Sequence, residues 1–166
     1  PGCVSLYGRT IDENGRIWLA NYSCNNVKRF DPKTHGWKTV SLPPHTRGMA
    51  ANTNGHVFVA SDSSNVISKI NVNTMAVEGS MNLGGGHHPI GMAVDFDGMV
   101  WAINYSSSSA TRVNPDGMTK MFECPTGSHP YTYSDMTGFQ QKTVVAPQGT
   151  YRHIFEGWTG ATTQWM

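Results

Sequence analysis

The chain has 166 residues and a formal net charge of +1, and only 14% of its residues are charged. Nucleic-acid-binding domains normally carry clustered Lys and Arg, so this composition argues against a nucleic-acid partner. No apolar run approaches the roughly 20 residues that a transmembrane helix needs, so we expect no membrane span.

A phrase that ends in glycine recurs at a nearly constant interval along the chain. Gly15, Gly55 and Gly98 each close the pattern Gly-x-x-x-Asp/Asn-x-x-Gly, at intervals of 40 and 43 residues, and a weaker copy ends at Gly138. A fixed period near 40 residues is typical of a repeat protein. In such a protein each unit is one supersecondary structure that buries its apolar face against its neighbours.

Each of these glycines precedes a series of short predicted strands. The run after the glycine is almost continuously apolar and carries an aromatic residue at Trp18, Phe58 or Trp101, which predicts a strand buried on both faces and an aromatic core between repeats. Turns rich in Asp, Asn, Pro and Gly then separate two further strands. The predicted strands after the glycine are 16–21, 56–61 and 99–104, the next are 27–30, 66–70 and 110–113, and the outer ones are 37–42, 76–81 and 119–124.

Four short strands in each period predict one blade of a β-propeller, so the fold class is all-β, with about three blades and a partial fourth. We assign residues 1–138 to propeller blades. The complete blades are 8–47, 48–90 and 91–130, and the partial blade starts at residue 131. Residues 139–166 leave the repeat and could begin an appended β domain. Closed propellers carry about four to eight blades, so we expect a fragment that alone is poorly stable or self-associates.

Strand direction alternates within a blade, and this separates two ends. The turns that contain the recurring glycines lie at one end, which we call the turn end. The loops that enter each first strand, and those between second and third strands, lie at the other, which we call the loop end. Propeller ligands commonly bind at a loop-built end. Asp62 lies in these loops, and the candidate ligand-binding residues there are Asn21, Tyr22, His45, Arg47, His87, His88, Asn104, Tyr105 and His129.

The histidines of the loop end allow two interpretations. His45 and His88 stand at equivalent repeat positions and His129 enters the next repeat, so their imidazoles could form a ring of metal ligands or a general base. Alternatively, the repeat duplicates solvated loop residues. We favour the second interpretation and predict no metal site, because no carboxylate recurs beside the histidines. The catalytic residues, if any, are unknown, with His88 and His129 as the candidates. Adjacent His87 and His88 should point apart.

Two further groups of residues have structural explanations. Asp12, Asp95 and Asp97 could suggest calcium, but a turn aspartate that caps its own backbone explains them better. Cys3, Cys24 and Cys124 allow one disulfide with a leftover thiol or three reduced thiols. The polar composition, rich in Asn, Ser, Thr and Gly, favours a secreted or cell-envelope setting.

The phrase Pro89-Ile-Gly-Met-Ala-Val-Asp-Phe-Asp-Gly-Met-Val-Trp101, followed by Arg112-Val-Asn-Pro115, resembles the virginiamycin B lyase (streptogramin lyase) group of propellers. The NHL and gluconolactonase-like propellers share the looser outline. The resemblance covers roughly residues 8–138. It implies a propeller, and the activity it suggests is that of a carbon–oxygen lyase, which opens a cyclic depsipeptide by metal-assisted elimination.

Two positions of the lyase-like repeat differ in this chain. The residue before the blade-opening glycine is often His in that family, and the apolar strand often ends in Glu. This chain holds Arg47, Ile90 and Pro130 at the first position and Asn21, Ser61 and Asn104 at the second. The resemblance therefore does not carry the lyase machinery over to these blades.

The sequence favours a binding segment of a secreted or cell-envelope bacterial protein. We expect it to recognise a glycan, peptide or protein through the loop end and to contact the remaining blades of its parent chain. The alternative is a streptogramin B lyase-like enzyme. No cofactor is evident, and Mg²⁺ is expected only under that alternative. Lactone hydrolysis at calcium would need a central Glu or Asp that these blades do not show.

Overall fold

The computed structural model describes residues 5–132, which form three antiparallel four-stranded sheets. Blade 1 consists of β1 (Leu6–Ile11), β2 (Ile17–Asn21), β3 (Asn26–Asp31) and β4 (Gly36–Ser41), with a short 3-10 turn at Tyr22–Cys24. Blade 2 consists of β5 (Thr46–Ala51), β6 (His56–Ser61), β7 (Val66–Asn71) and β8 (Val77–Asn82). Blade 3 consists of β9 (Pro89–Val94), β10 (Val100–Asn104), β11 (Ser109–Asn114) and β12 (Thr119–Pro125).

Within each sheet the strands follow one another in chain order as an antiparallel meander. The predicted all-β fold, with about three four-stranded propeller blades, is confirmed. The predicted tail at 139–166 and most of the partial fourth blade fall outside the described residues. In the part of the chain that is described, no helix is long and apolar enough to cross a membrane.

The inner strands β1, β5 and β9 lie side by side and join the three blades. The blade-opening glycines permit this close approach. A Cβ atom added to Gly8 would overlap the backbone carbonyl of Arg47, and one added to Gly48 would overlap the carbonyl of Ile90. These carbonyls belong to the next blade, so the glycine sets the spacing between neighbouring blades.

Two apolar clusters fill the spaces between the blades. Trp18 is fully buried in the cluster between blades 1 and 2, and Phe58 is fully buried in the cluster between blades 2 and 3. Both aromatic residues therefore form interblade core, as the sequence predicts. Trp101 is half-buried and meets Phe122 edge-on, with ring centroids 5.4 Å apart. The blades are stabilised by their neighbours, as expected for a repeat fold.

The burial of the second strands differs from the prediction in two of the three blades. β6 is buried at five of its six positions, which agrees with a strand covered on both faces. Buried and half-buried positions alternate over most of β2 and along β10, so the prediction of continuous burial is wrong for these strands. The reason is that, within residues 5–132, only blade 2 has a neighbour on each face.

The turn end confirms the interpretation as backbone caps for Asp12 and Asp95 but not for Asp97, whose side chain pairs with Arg112 at 2.8 Å. Asp12 Oδ1 accepts the backbone amides of Asn14 at 2.9 Å and of Arg16 at 3.1 Å. Asn52 and Asp95 make the same pair of bonds in blades 2 and 3. Gly15 closes its turn with a φ of 77°, which glycine adopts without strain.

The second carboxylate oxygen of these aspartates binds an indole. Asp12 Oδ2 accepts hydrogen bonds from Trp18 Nε1 at 2.8 Å and from Arg16 Nε at 2.7 Å. Asp95 Oδ2 accepts one from Trp101 Nε1, also at 2.8 Å. Blade 2 has Phe58, whose side chain has no N–H group, and the equivalent cap there is the neutral Asn52. A carboxylate thus occurs in the two blades where an indole N–H needs a hydrogen-bond acceptor.

One of the two interpretations of the cysteines holds for the described part of the chain. Cys24 is disulfide-bonded and Cys124 is a free thiol, half-buried in β12. The chain therefore has a disulfide together with a leftover thiol, and the alternative of three reduced thiols is wrong.

Candidate ligand-binding site

A hydrogen bond from the backbone of a histidine recurs where each blade meets the next. At each junction, a histidine lies in the loop that leads into the following blade. Its backbone amide donates to a side-chain oxygen of the preceding blade, in the loop between that blade's second and third strands. The pairs are His45 with Asn25 at 3.1 Å, His88 with Asn65 at 2.8 Å and His129 with Ser108 at 3.1 Å. All six residues have positive φ, between 47° and 61°, which is uncommon outside glycine. The three histidines are therefore held in one repeated backbone conformation.

The imidazole side chains nevertheless have different neighbours. His45 stacks on Tyr22 with ring centroids 4.4 Å apart, and His129 contacts Tyr105 at 4.9 Å. At the central junction the residue equivalent to these tyrosines is Asp62, and there His88 lines a cavity. No group of three or more His, Cys, Asp or Glu among residues 5–132 could hold a metal ion.

A cavity of about 380 Å³ opens at the loop end between blades 2 and 3. This volume lies within the range of about 300 to 1,000 Å³ that is usual for small-molecule sites. The cavity brings together three of the predicted residues, Arg47, His88 and Tyr105. Its full lining is Arg47, Asp62, His88, Ile90, Tyr105, Ser106 and Tyr131.

Arg47 is held in the cavity wall by contacts with both blade 1 and blade 2. Its Nε donates to Asp62 Oδ2, and its terminal nitrogens donate to the hydroxyls of Tyr7 at 3.3 Å and Tyr22 at 3.5 Å. The guanidinium carbon also lies 5.0 and 4.9 Å from the centroids of these two rings, within cation–π range. Burial opposes the charged form, but Asp62 and Tyr7 together raise the pKa of Arg47. The cavity therefore has a fixed cation.

Asp62 contributes an acceptor atom that the protein leaves unused. Its side chain is 6% exposed, and Oδ1 has no hydrogen-bond partner among the described residues. His45 Nδ1 lies 3.4 Å from this oxygen. A buried acceptor without a donor costs about 1 to 3 kcal/mol, so a ligand that donates a hydrogen bond here would be stabilised.

The sequence pattern places Asp62 in the loops of the loop end but does not mark it as a ligand contact. The signal that could have found it is a break in the repeat, since blades 1 and 3 have Tyr22 and Tyr105 at the same position. A carboxylate that replaces a duplicated tyrosine beside an arginine indicates a position with a specific role.

Two tyrosines in the cavity lining form an exposed aromatic wall. Tyr105 is 38% exposed and Tyr131 is 49% exposed, and their rings meet edge-to-face with centroids 6.2 Å apart. The hydroxyl of Tyr131 is hydrogen-bonded to the hydroxyl of Tyr7. Burial and this hydrogen bond raise the pKa of Tyr7 above its ordinary value. These contacts hold the wall in place before any ligand binds.

Four other predicted residues lie outside the cavity lining. Asn21 and Asn104 are fully buried between strands, where Asn21 Oδ1 accepts the Ser5 amide at 2.6 Å and Asn104 donates to neighbouring side chains. Tyr22 and His45 lie behind Arg47 and Asp62 and support them. These residues position the strands and the Arg47–Asp62 pair.

His87 and His129 also lie away from the lining. His87 points away from His88, with Nδ1 3.0 Å from the carbonyl of Gly84 and Nε2 3.3 Å from Glu123. His129 packs on Tyr105 and is hydrogen-bonded to Ser128 at 2.9 Å. His129 therefore supports the aromatic wall, and His87 belongs to a separate polar cluster in blade 3.

Comparisons with known proteins give matches in structure alone. No model of a known protein family matches the chain, and no curated protein matches it in sequence. Solved structures do match, with identities far too low to indicate a shared activity.

Three of these structures illustrate the range of the matches. Virginiamycin B lyase from Staphylococcus aureus is 18% identical with a TM-score of 0.69, over 78% of this chain and 45% of its own. Hydrazine synthase from Kuenenia stuttgartiensis is 15% identical with a TM-score of 0.70, over 78% of this chain and 38% of its own. The WD40 repeats of RRP9 are 10% identical with a TM-score of 0.66, over 75% of this chain and 40% of theirs.

The chain spans 38 to 45% of the length of these three structures. Its resemblance to the virginiamycin B lyase group is confirmed at the level of the fold, and proteins with other names share that fold equally well. The chain is a segment of a β-propeller, similar in structure to virginiamycin B lyase and to other propeller proteins.

Proposed function

We propose that this chain is a binding segment of a secreted or cell-envelope bacterial protein, which recognises a glycan, peptide or protein at its loop end. The observation that carries this proposal is the lining of the loop-end cavity. It combines a fixed guanidinium at Arg47, an unused carboxylate oxygen at Asp62 and an exposed ring at Tyr105. A few convergent polar groups in an otherwise apolar and aromatic concavity are typical of ligand sites.

The disulfide at Cys24 supports the proposed compartment. Disulfides form and persist in oxidising environments such as the periplasm and the cell exterior, and they are rare in reducing cytosol. The polar composition, rich in Asn, Ser, Thr and Gly, points the same way. The remaining blades of the parent chain are its proposed structural partners.

The alternative proposal is a streptogramin B lyase-like enzyme, and its support is the likeness in fold to virginiamycin B lyase. Magnesium in such a site would need carboxylate oxygens free to bind it. Asp62 is the carboxylate of the loop-end cavity, and its Oδ2 is already bound to Arg47. The other oxygen, Oδ1, is a single remaining carboxylate ligand, and no group of three or more His, Cys, Asp or Glu lies around it among residues 5–132, so these residues do not fit magnesium. We therefore favour the binding function and derive no catalytic role for His88 or His129.

A test of the binding function is a combined glycan and peptide array probed with the whole protein and two variants. Tyr105→Ala removes the aromatic wall, so the signals of the unmodified protein should be lost. Phe96→Ala is the matched control, because Phe96 is 73% exposed and lies at the turn end. Signals that persist in Tyr105→Ala would contradict the proposed site. Magnesium-dependent loss of a streptogramin B substrate, measured in parallel, would favour the lyase.

A further inference from the structure

We infer that the loop-end cavity binds an uncharged sugar ring, so that the ligand of this segment is a neutral glycan. This inference rests on the proposed binding function and names its ligand class. It follows from three properties of the cavity, namely its charge, its hydrogen-bonding groups and its aromatic wall. It also follows from the hydrogen bonds that the surrounding backbone amides already make.

The charges of the cavity compensate each other. The positive Arg47 and the negative Asp62 are directly paired in its wall. An anionic ligand near Arg47 would also meet the Asp62 carboxylate, and a cationic ligand near Asp62 would meet the guanidinium. A ligand with a full charge therefore gains little net Coulomb energy, whereas a neutral polar ligand loses less hydration on entering.

The hydrogen-bonding groups of the cavity match hydroxyls. Asp62 Oδ1 is an acceptor only and forms no hydrogen bond among residues 5–132, with His45 Nδ1 3.4 Å away. His88 and Ser106 line the same cavity, and each can act as donor or as acceptor. A sugar hydroxyl does both, so neighbouring hydroxyls of one ring can donate to the carboxylate and accept from the imidazole or serine.

The aromatic wall fits the apolar face of a sugar ring. Tyr105 and Tyr131 keep much of their ring surface exposed, and Ile90 adds a buried apolar contact. His129 packs against Tyr105 and holds it before a ligand arrives. A rigid exposed ring offers a large contact area at little entropic cost, and the C–H face of a pyranose can lie on it.

The backbone around the cavity favours a glycan over a peptide. The amides of Asp62, Tyr105 and Ser106 donate to backbone carbonyls, each at 3.1 Å, and the amide of His88 donates to Asn65 at 2.8 Å. One mode of peptide recognition adds the peptide as a strand through main-chain hydrogen bonds to an available sheet edge. This cavity presents side chains while its loop amides are already bonded, which suits a ligand recognised through hydroxyls.

The test is isothermal titration of the whole protein with matched oligosaccharides. The neutral probes are hexose and N-acetylhexosamine trisaccharides, and the charged probes are the corresponding glucosamine and uronic acid oligomers. Uncharged pentapeptides complete the set. At least one neutral trisaccharide should bind, and its charged counterparts should bind at least ten-fold more weakly.

Two variants assign the contacts. Asp62→Asn should weaken binding of the neutral sugar by about 10- to 100-fold, because it replaces a charged acceptor. Tyr105→Ala should abolish binding, whereas Tyr105→Phe keeps the ring and should retain it within about three-fold. Since Tyr105→Phe alters no apolar packing, it keeps the test decisive even if Asp62→Asn folds poorly.

The outcomes separate this inference from the proposed function. Tighter binding of a charged sugar or of a pentapeptide, lost in Tyr105→Ala, would overturn the neutral glycan while the binding function stands. Sugar binding that survives Tyr105→Ala would overturn the assignment to this cavity. Failure to bind every probe, together with an empty array, would contradict both proposals.

Discussion

The two ends of the same blades satisfy their polar side chains in different ways. At the turn end, Asp12 binds groups of residues no more than six positions away in its own blade. At the loop end, Arg47 binds Tyr7, Tyr22 and Asp62, which lie 40, 25 and 15 residues away. The Asp12 contacts therefore stabilise a single blade, whereas the Arg47 contacts depend on how neighbouring blades are placed. Substitutions should reveal this difference as a large loss of stability at the turn aspartate and smaller losses at the loop end.

The largest effect is expected when the carboxylate of a turn is removed. Asp12→Ala leaves the guanidinium of Arg16 and the indole N–H of Trp18 buried without their acceptor. We expect a loss of about 3 to 4 kcal/mol in the free energy of unfolding, measured by urea denaturation followed by tryptophan fluorescence.

The matched control is Asn52→Ala at the equivalent position of blade 2. Asn52 caps the amides of Asn54 and His56. The nearby side chain of Phe58 has no N–H group that the substitution could leave unpaired. A loss of only about 1 kcal/mol is expected. Equal losses of unfolding free energy in the two variants would show that the hydrogen bond to the indole adds no measurable stability.

A smaller loss is expected from Gly48→Ala, which tests the contact that couples the blades. The added Cβ would overlap the carbonyl of Ile90 in the adjacent inner strand and force the two blades apart. We expect a loss of about 2 to 3 kcal/mol in urea denaturation, together with weaker ligand binding at the loop end. Gly85→Ala is the control, because its Cβ meets nothing within 4 Å. If binding is unaltered in a destabilised Gly48→Ala protein, ligand binding at the loop end does not depend on the spacing between the blades.

Acid should weaken the loop end through Glu123. Burial alone would raise the pKa of this carboxyl, but hydrogen bonds from Lys120, Ser109 and His87 lower it to about 2. Because the pKa is lower in the folded than in the unfolded chain, the stabilisation is complete above about pH 4.3 and is lost as the pH falls toward 2.

The measurement compares the unmodified protein with Glu123→Gln across that pH range. The difference in unfolding free energy should be about 1 kcal/mol at pH 6, since solvent screens the cluster, and should vanish near pH 2. A difference that stays constant with pH would mean that the charge of Glu123 does not stabilise the fold.

The same contrast explains what the sequence could predict. The turn end was predictable because Asp12 and Gly15 lie within one turn and its chemistry is local. The loop end was predictable as a location only. Asn21 and Asn104 looked like ligand contacts, yet strand pairing buries them completely. The role of Asp62 depends on an arginine fifteen residues away and on tyrosines of blade 1, which no local pattern encodes.

The smallest effect is expected from Tyr22, whose contacts at the loop end cross between blades. Tyr22→Phe removes a hydroxyl 3.5 Å from Arg47 but keeps the ring that stacks on His45 and faces the guanidinium. Unfolding free energy should fall by no more than about 0.5 kcal/mol. Tyr22→Leu also removes the ring and should cost about 1 kcal/mol in the same urea titration. If the two variants lose equal stability, the hydroxyl and not the aromatic face holds Arg47. The loop end would then depend on hydrogen bonds as the turn end does, and the contrast between the two ends would be one of distance along the chain alone.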